Sequence, residues 1–237
     1  MANKAKNSKI KLLAILGLGL YIGSKLKSAG KKPQKTRIKN IYHYWARIYD
    51  SFLKYWNKSI ARSAEKYLNE FLDKNLGKKI TVLDLACGTG QNITRLKNLK
   101  KKVAKYVAVD LTPEMQDKAK EKAGWIKNQE FILGDVMEFK TEQKFDLIIC
   151  TWALSHMLQP ERFLEKYLKH INKGGVFALI FQGEFEKAGI LNTILNPLQK
   201  FFQAKMVSSQ AIEDVMKKAS LDKKYWGGYV RLLIFKN

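Results

Sequence analysis

Two hydrophobic rhythms run along this chain. Short apolar, β-branched runs recur at 80–85, 106–110, 130–134, 145–151 and 175–181, each bounded by polar or glycine-rich residues, and such runs read as buried strands. Between them the apolar positions fall three and four apart, the period of a helix with one buried face. The clearest case begins at Pro160, a residue suited to a first helical turn. Leu164, Leu168 and Ile171 then form a stripe with Tyr167 beside it, and Gly174-Gly175 is expected to end the helix. Strands alternating with helices argue for an α/β fold whose mostly parallel sheet is covered on both faces. A last run, 229–235, predicts an antiparallel C-terminal strand in a hairpin with residues near 221–226.

Three regions depart from this alternation. Residues 41–76 read as a helical cap rich in aromatics (Tyr42, Tyr44, Trp45, Tyr49, Phe52, Tyr55, Trp56). They either pack on the core or form a lid over a small-molecule site. Residues 183–207 form an insertion with an apolar face, Ile190, Leu191, Ile194, Leu195, Leu198, Phe201 and Phe202, interrupted by Pro197. It either packs on the core or contacts a bilayer or a greasy substrate. The third is 1–40, read as an apolar anchor, Leu12–Gly23, followed by a basic linker from Ser24 to Asn40.

Charge sharpens the picture of that N-terminus. The chain has 237 residues, 44 basic and 21 acidic, for a net +23. Residues 1–40 hold eleven Lys or Arg and no acid, leaving +12 for 41–237. A helix over Leu12–Gly23 rises only ~18 Å against ~30 Å of hydrocarbon, while Ile10–Leu26 with snorkelling lysines reaches roughly 25 Å. The segment therefore spans marginally or lies on an anionic surface. Four basic residues precede it and seven follow, which places the remaining chain on the cytoplasmic side of a membrane. The two cysteines, Cys87 and Cys150, form no metal-ligand spacing and no disulfide framework, as expected of a reducing compartment.

The chemistry concentrates in Asp84-Leu85-Ala86-Cys87-Gly88-Thr89-Gly90, where a strand ending in an acid breaks into a glycine-rich turn opening toward a helix from Gln91 to about Asn98. Asp110, ending the next strand, lies 20 residues beyond Gly90, a spacing suited to gripping a ribose diol. A dehydrogenase is disfavoured, because Gly-x-Gly-x-x-Gly is absent.

These motifs resemble the class I S-adenosylmethionine-dependent methyltransferases, especially their UbiE-like, "type 11" branch, over about residues 41–237. The resemblance implies a Rossmann-like, doubly wound seven-stranded sheet with S-adenosyl-L-methionine as cofactor. It implies that Asp84 and the backbone of Ala86 to Gly90 (Ala86, Gly88, Gly90) hold the methionine part. Asp110 takes both ribose hydroxyls and Leu111 flanks the adenine. Asp135, in Phe131-Ile132-Leu133-Gly134-Asp135-Val136, binds the adenine amino group beside Val136. Thr151 closes the fourth strand at the border of the active site. Gly174-Gly175-Val176-Phe177 resembles the glycine pair that introduces the fifth strand. Tyr49, in Ile48-Tyr49-Asp50, resembles the tyrosine-aspartate pair that touches cofactor or substrate.

Methyl transfer from a sulfonium is an in-line displacement, driven largely by alignment and exclusion of water. A base is needed only where the nucleophile must lose a proton, and His156 just after the fourth strand is the best-placed candidate; a polar lining or structural role is its alternative. The anchor, the aromatic cap and the apolar insertion favour a small hydrophobic or lipid-like acceptor, such as a phospholipid amine, a quinone precursor or a lipophilic thiol. A protein or RNA acceptor is the alternative, gripped by the basic surface, although Thr151-Trp152-Ala153-Leu154 stands where many such enzymes carry Asn-Pro-Pro-Tyr. A reading of another class is a non-catalytic cofactor-fold assembly factor, against which the acids at 84, 110 and 135 argue.

Overall fold

The computed structural model describes residues 33–46, 49–186 and 204–237. Its centre is a seven-stranded sheet: β1 (Lys79–Leu85), β2 (Lys102–Asp110), β3 (Gln129–Leu133), β4 (Phe145–Thr151), β5 (Ile171–Gln182), β6 (Leu221–Tyr225) and β7 (Val230–Lys236). The order is β3-β2-β1-β4-β5-β7-β6, with β7 antiparallel to both β5 and β6. Val82, Leu83, Leu85, Leu147, Ile148 and Ile149 are fully buried, because the central strands are covered on both faces and water reaches neither.

Seven α-helices flank the sheet among the described residues. They are α1 (Gln34–Trp45), α2 (Tyr49–Lys58), α3 (Arg62–Asn75), α4 (Gln91–Asn98), α5 (Pro113–Lys122), α6 (Pro160–Leu168) and the single-turn α7 (Glu213–Met216). Each amphipathic stripe lies inward. Leu68 and Leu72 of α3 join Val82, Leu147 and Ile180 in one core, while Phe163, Leu164 and Tyr167 of α6 join Leu83, Ile148 and Leu179 in the other. Truncating a Leu at such a site costs about 2–5 kcal/mol.

Three sequence expectations are corrected. The basic linker does not run to Asn40, since α1 begins at Gln34 behind an extended Pro33. Its stripe of Ile38, Ile41, Tyr42 and Trp45 has helical spacing, which the surrounding lysines obscured. The cap expected at 41–76 is helical, but it starts earlier, at Gln34, and is divided into α1, α2 and α3. Gly174-Gly175 does not end α6: the helix stops at Leu168, and Ile171 and both glycines already belong to β5. The pairing of β4 with β5 shifts register between Phe145 and Leu147. A Cβ on Gly175 would meet the carbonyl oxygens of Asn172 and Phe145 at 2.9 Å, so the pair forms a bulge that only glycine fits.

Among the described residues no helix is long and apolar enough to cross a membrane. The anchor expected at 10–26 and most of the 183–207 insertion lie outside those residues.

Candidate active site

In a sheet of this order the strand sequence reverses between β1 and β4, and the crevice at their C-terminal ends is where such folds bind ligands. The glycine turn sits there. Ala86, Gly88 and Gly90 all have positive φ, +55°, +53° and +79°, so the chain folds back on itself within five residues. Ala86 lacks glycine's freedom and holds a strained conformation that its surroundings must enforce. At Gly90 the reason for glycine is packing: a Cβ would stand 3.0 Å from Ala119 Cα of α5 and from Ile93 Cδ1.

The turn is stapled to β2. The Cys87 N–H donates to the Val109 carbonyl at 3.2 Å. Asp110 accepts the Gly88 N–H at 2.8 Å on one carboxylate oxygen and the Thr112 N–H at 2.9 Å on the other. Burial pushes the Asp110 pKa up to about 6, against the pull of those N–H groups. From the other side, Asp50 of α2 accepts the Thr89 hydroxyl and the Lys122 ammonium, the latter at 2.8 Å.

Behind the turn lies a buried polar network. Asp84 is fully buried and accepts from Asn92 Nδ2 at 3.0 Å and from the Tyr106 hydroxyl; burial raises its pKa to about 6. Asn92 Oδ1 takes Arg95 Nε at 3.2 Å, and Arg95 forms a 2.6 Å ion pair with Glu65 of α3. The other Glu65 oxygen accepts the Trp152 indole N–H at 3.3 Å. Trp152 follows β4 with φ +67°, and its own N–H donates to Ile180 at 2.7 Å. Every charge here has a partner, the condition under which buried ions are tolerated. Cys87 within the turn and Cys150 near the end of β4 are buried free thiols whose pKa burial pushes up.

In front of the turn opens a cavity of about 550 Å³, within the ~300–1,000 Å³ usual for small-molecule sites. Of the sequence-derived cofactor candidates, Ala86, Gly88, Asp110, Leu111, Asp135, Val136 and Thr151 line it. Asp84 and Gly90 do not: the first supports the turn from behind and the second is taken up by packing against α5. Tyr49 and His156 also line the cavity. A Cβ on Gly88 would lie 3.8 Å from Tyr49 Cε1, so Tyr49 stands over the glycine turn.

Tyr42 of the aromatic cap lines the cavity, as do Trp152 and Lys35, which no motif singled out. The Tyr42 hydroxyl lies 2.7 Å from His156 Nε2, with the rings edge-on at 5.4 Å. Lys35 Nζ is 3.3 Å from Asp135 and 3.0 Å from Glu138. Asp135 also takes the Met137 N–H at 2.9 Å. The signal for Tyr42 was its helical spacing from Ile38 and Trp45, which carries it onto the inward face of α1.

A glycine turn at the switch point, an acid capping β2 and a cavity joining them define an α/β enzyme built around a nucleoside cofactor. The comparisons make this specific. The "Methyltransferase domain" family matches residues 76–227, and the chain belongs to it. An uncharacterized methyltransferase of Bacillus mycoides is 29% identical over 150 residues, covering 60% of this chain and 67% of that protein. Malonyl-[acyl-carrier protein] O-methyltransferase 1 of Ilyobacter polytropus is 29% identical over 173 residues, 71% of this chain and 61% of that protein. The chain thus spans roughly two thirds of these curated relatives. Among solved structures, the N-methyltransferase NodS of Bradyrhizobium japonicum, in complex with S-adenosyl-L-homocysteine, shares the fold. It has a TM-score of 0.56 and 14% identity, covering 76% of this chain and 88% of that one. The protein is an S-adenosylmethionine-dependent methyltransferase of class I.

The cradle fits that cofactor. Asp110 presents a buried carboxylate at the cavity wall, positioned by two backbone donors. Leu111, Val136 and Met115 supply apolar surface beside Asp135.

Proposed function

We propose that this methyltransferase acts on a small hydrophobic or lipid-like acceptor at the cytoplasmic side of a membrane, with residues 10–26 as its anchor. One observation carries the reading. Gln34 and Lys35, the first residues of α1, line the cavity. Gln34 lies eight positions beyond Leu26, so the cavity stands at most about 29 Å along the chain from the end of the apolar segment. The acceptor side of the cavity is aromatic and apolar: Tyr42, Tyr49, Trp152 and Met157 line it, and Leu158 beside them is 80% exposed. An exposed leucine at a cavity mouth suits a greasy ligand or a bilayer surface. Ala86 and the Tyr49-Asp50 pair favour the UbiE-like branch.

When bound, S-adenosylmethionine supplies an activated methyl group on a sulfonium. The residues then divide the work. The backbone of Ala86 to Gly90 cradles the methionine part, over a floor fixed by Asp84. Asp110 accepts the ribose hydroxyls, and Asp135 the adenine amino group, between Leu111 and Val136. Thr151 borders the transfer site. Tyr49 covers the turn and excludes water, which favours an in-line approach. His156 receives the proton that the acceptor gives up.

The test is label uptake from methyl-tritiated cofactor by total membrane lipid, total protein and total RNA, assayed separately. Uptake by the lipid fraction is expected; uptake confined to protein or RNA overturns the reading. A second reading, an acid carried on a protein, is favoured by the similarity to the Ilyobacter enzyme, and the protein arm reports on it. Cofactor binding with transfer to no fraction would favour a non-catalytic assembly role.

A further inference from the structure

We propose that Tyr42 is a catalytic residue: its phenol oxygen takes the acceptor's proton while its own proton passes to Nε2 of His156. The inference deepens the proposed role of His156 and rests on that role.

The geometry comes first. Tyr42 and His156 both line the cavity, and Oη to Nε2 is 2.7 Å, a separation at which one proton is shared between them. Burial, with the neighbouring Tyr49 and the Asp110 carboxyl adding to it, pushes the Tyr42 phenol well above its ordinary pKa. The phenol therefore keeps its proton and donates it, and Nε2 accepts. The neutral imidazole then carries its hydrogen on Nδ1. With Nε2 engaged by the phenol, the atom of this pair that meets an acceptor is Tyr42 Oη.

Position agrees. The Tyr42 ring stands edge-on to Tyr49 at 5.8 Å, and Tyr49 covers Gly88 of the turn. The Tyr42 ring thereby packs against the residue that covers the glycine turn. α1 is pinned at both ends of the site: Lys35 pairs with Asp135 at 3.3 Å, and Gln34 Nε2 donates to the His156 carbonyl at 3.5 Å.

The step balances. The acceptor heteroatom forms its bond to the methyl carbon as the carbon–sulfur bond breaks and its electron pair stays on sulfur. The acceptor proton moves to Oη, and the phenol proton moves to Nε2. The positive charge of the sulfonium ends on the imidazolium, and Tyr42 is regenerated neutral. A phenol alone is a poor base at neutral pH, whereas one coupled to an imidazole transfers its proton to a group matched to that pH. The acceptor accordingly bears a proton that it still holds at neutral pH: a hydroxyl, a thiol or an ammonium.

The test reads the tautomer directly. The full chain has three histidines, His43, His156 and His170, so 15N-histidine labelling gives three ring systems, and His156→Gln assigns one. Above about pH 8.5, where imidazole is neutral, His156 is expected to show a hydrogen-bonded, pyridine-type Nε2 and a pyrrole-type Nδ1. Tyr42→Phe keeps the ring and removes the donor. It is expected to move the Nε2 resonance toward that of a free pyridine-type nitrogen, and to cut methyl uptake by the labelled fraction about 10²-fold. A pyrrole-type Nε2 in the unaltered protein, or an Nε2 resonance unmoved by Tyr42→Phe, overturns the relay. The tautomer measurement needs no acceptor, and its variants serve only to assign the ring and to remove the phenol. It therefore stands or falls separately from the lipid reading, which the fractionation decides.

Discussion

The glycine turn separates two unlike regions. Behind it Asp84, Asn92, Arg95 and Glu65 form a closed set of buried charges and amides. In front, Tyr42, Tyr49, Trp152 and His156 form an aromatic wall on an open cavity. The first region comes from strands and helices flanking the turn and can only hold still, because moving one member strands another charge without water. The second is contributed by α1 and α2 together with the loop after β4, and it faces the open cavity. The buried charges lie beneath the turn, and the open cavity lies in front of it.

The sharpest way to break that division is Arg95→Met, which leaves Glu65 as an unpaired buried carboxylate. Stability should fall by about 3–5 kcal/mol in urea unfolding. Glu65→Gln in the same chain should restore part of it. Loss below 1 kcal/mol would mean that the back region is less dry than its contacts indicate.

Next in size is Asp110→Ala, which removes the proposed ribose acceptor and frees the Gly88 and Thr112 N–H groups. Cofactor affinity measured by calorimetry should drop about a hundredfold, roughly 2–3 kcal/mol.

The two buried carboxyls also set a pH dependence. Burial raises both Asp84 and Asp110 to about 6, so the native state holds their protons more tightly than the unfolded chain does. Stability of the cofactor-free protein should therefore decline as pH rises from about 4 to about 6, and level off above. Cofactor affinity should run the opposite way, weakening below about 6 by up to tenfold per unit as Asp110 takes up a proton. Asp110→Asn should flatten most of that slope.

In the front region the effects are smaller. Tyr49→Phe should change cofactor affinity less than threefold, whereas Tyr49→Ala, which uncovers the turn, should cost about tenfold. Lys35→Ala belongs to the same small range, with the opposite sign. Its side chain is 44% exposed and pairs with Asp135, and pairs that exposed are worth at most about 1 kcal/mol. Its removal should tighten cofactor binding by no more than about fivefold. A large loss instead would make Lys35 a direct cofactor contact.

The same division governs how much could be read from the chain. The strands at 80–85, 145–151 and 106–110 announced themselves, since a central parallel strand is apolar on both faces. The spacing from Gly90 to Asp110 pointed to a ribose site because one βαβ unit fixes that distance. Asp84 was legible as a residue of the turn, but its place behind the cavity depends on Asn92 and Tyr106, which no spacing predicts. The role of Gly90 in admitting Ala119 was hidden for the same reason. Tyr42 and Lys35 lay within or beside a lysine-rich stretch whose charge masked the stripe of α1. Trp152 reaches its position through a left-handed backbone that no motif encodes.

The state of the two thiols has a further consequence. Thiols that do not ionise react slowly with peroxide or alkylating agents, so Cys87 and Cys150 give oxidants little purchase despite lying under the active site. The exposed sulfur is of another kind. Met137 and Met157 are half-buried and line the cavity, where a sulfoxide would turn an apolar wall polar. Oxidative damage would enter this enzyme through its thioethers, and lesions of that type are reversed by sulfoxide reduction.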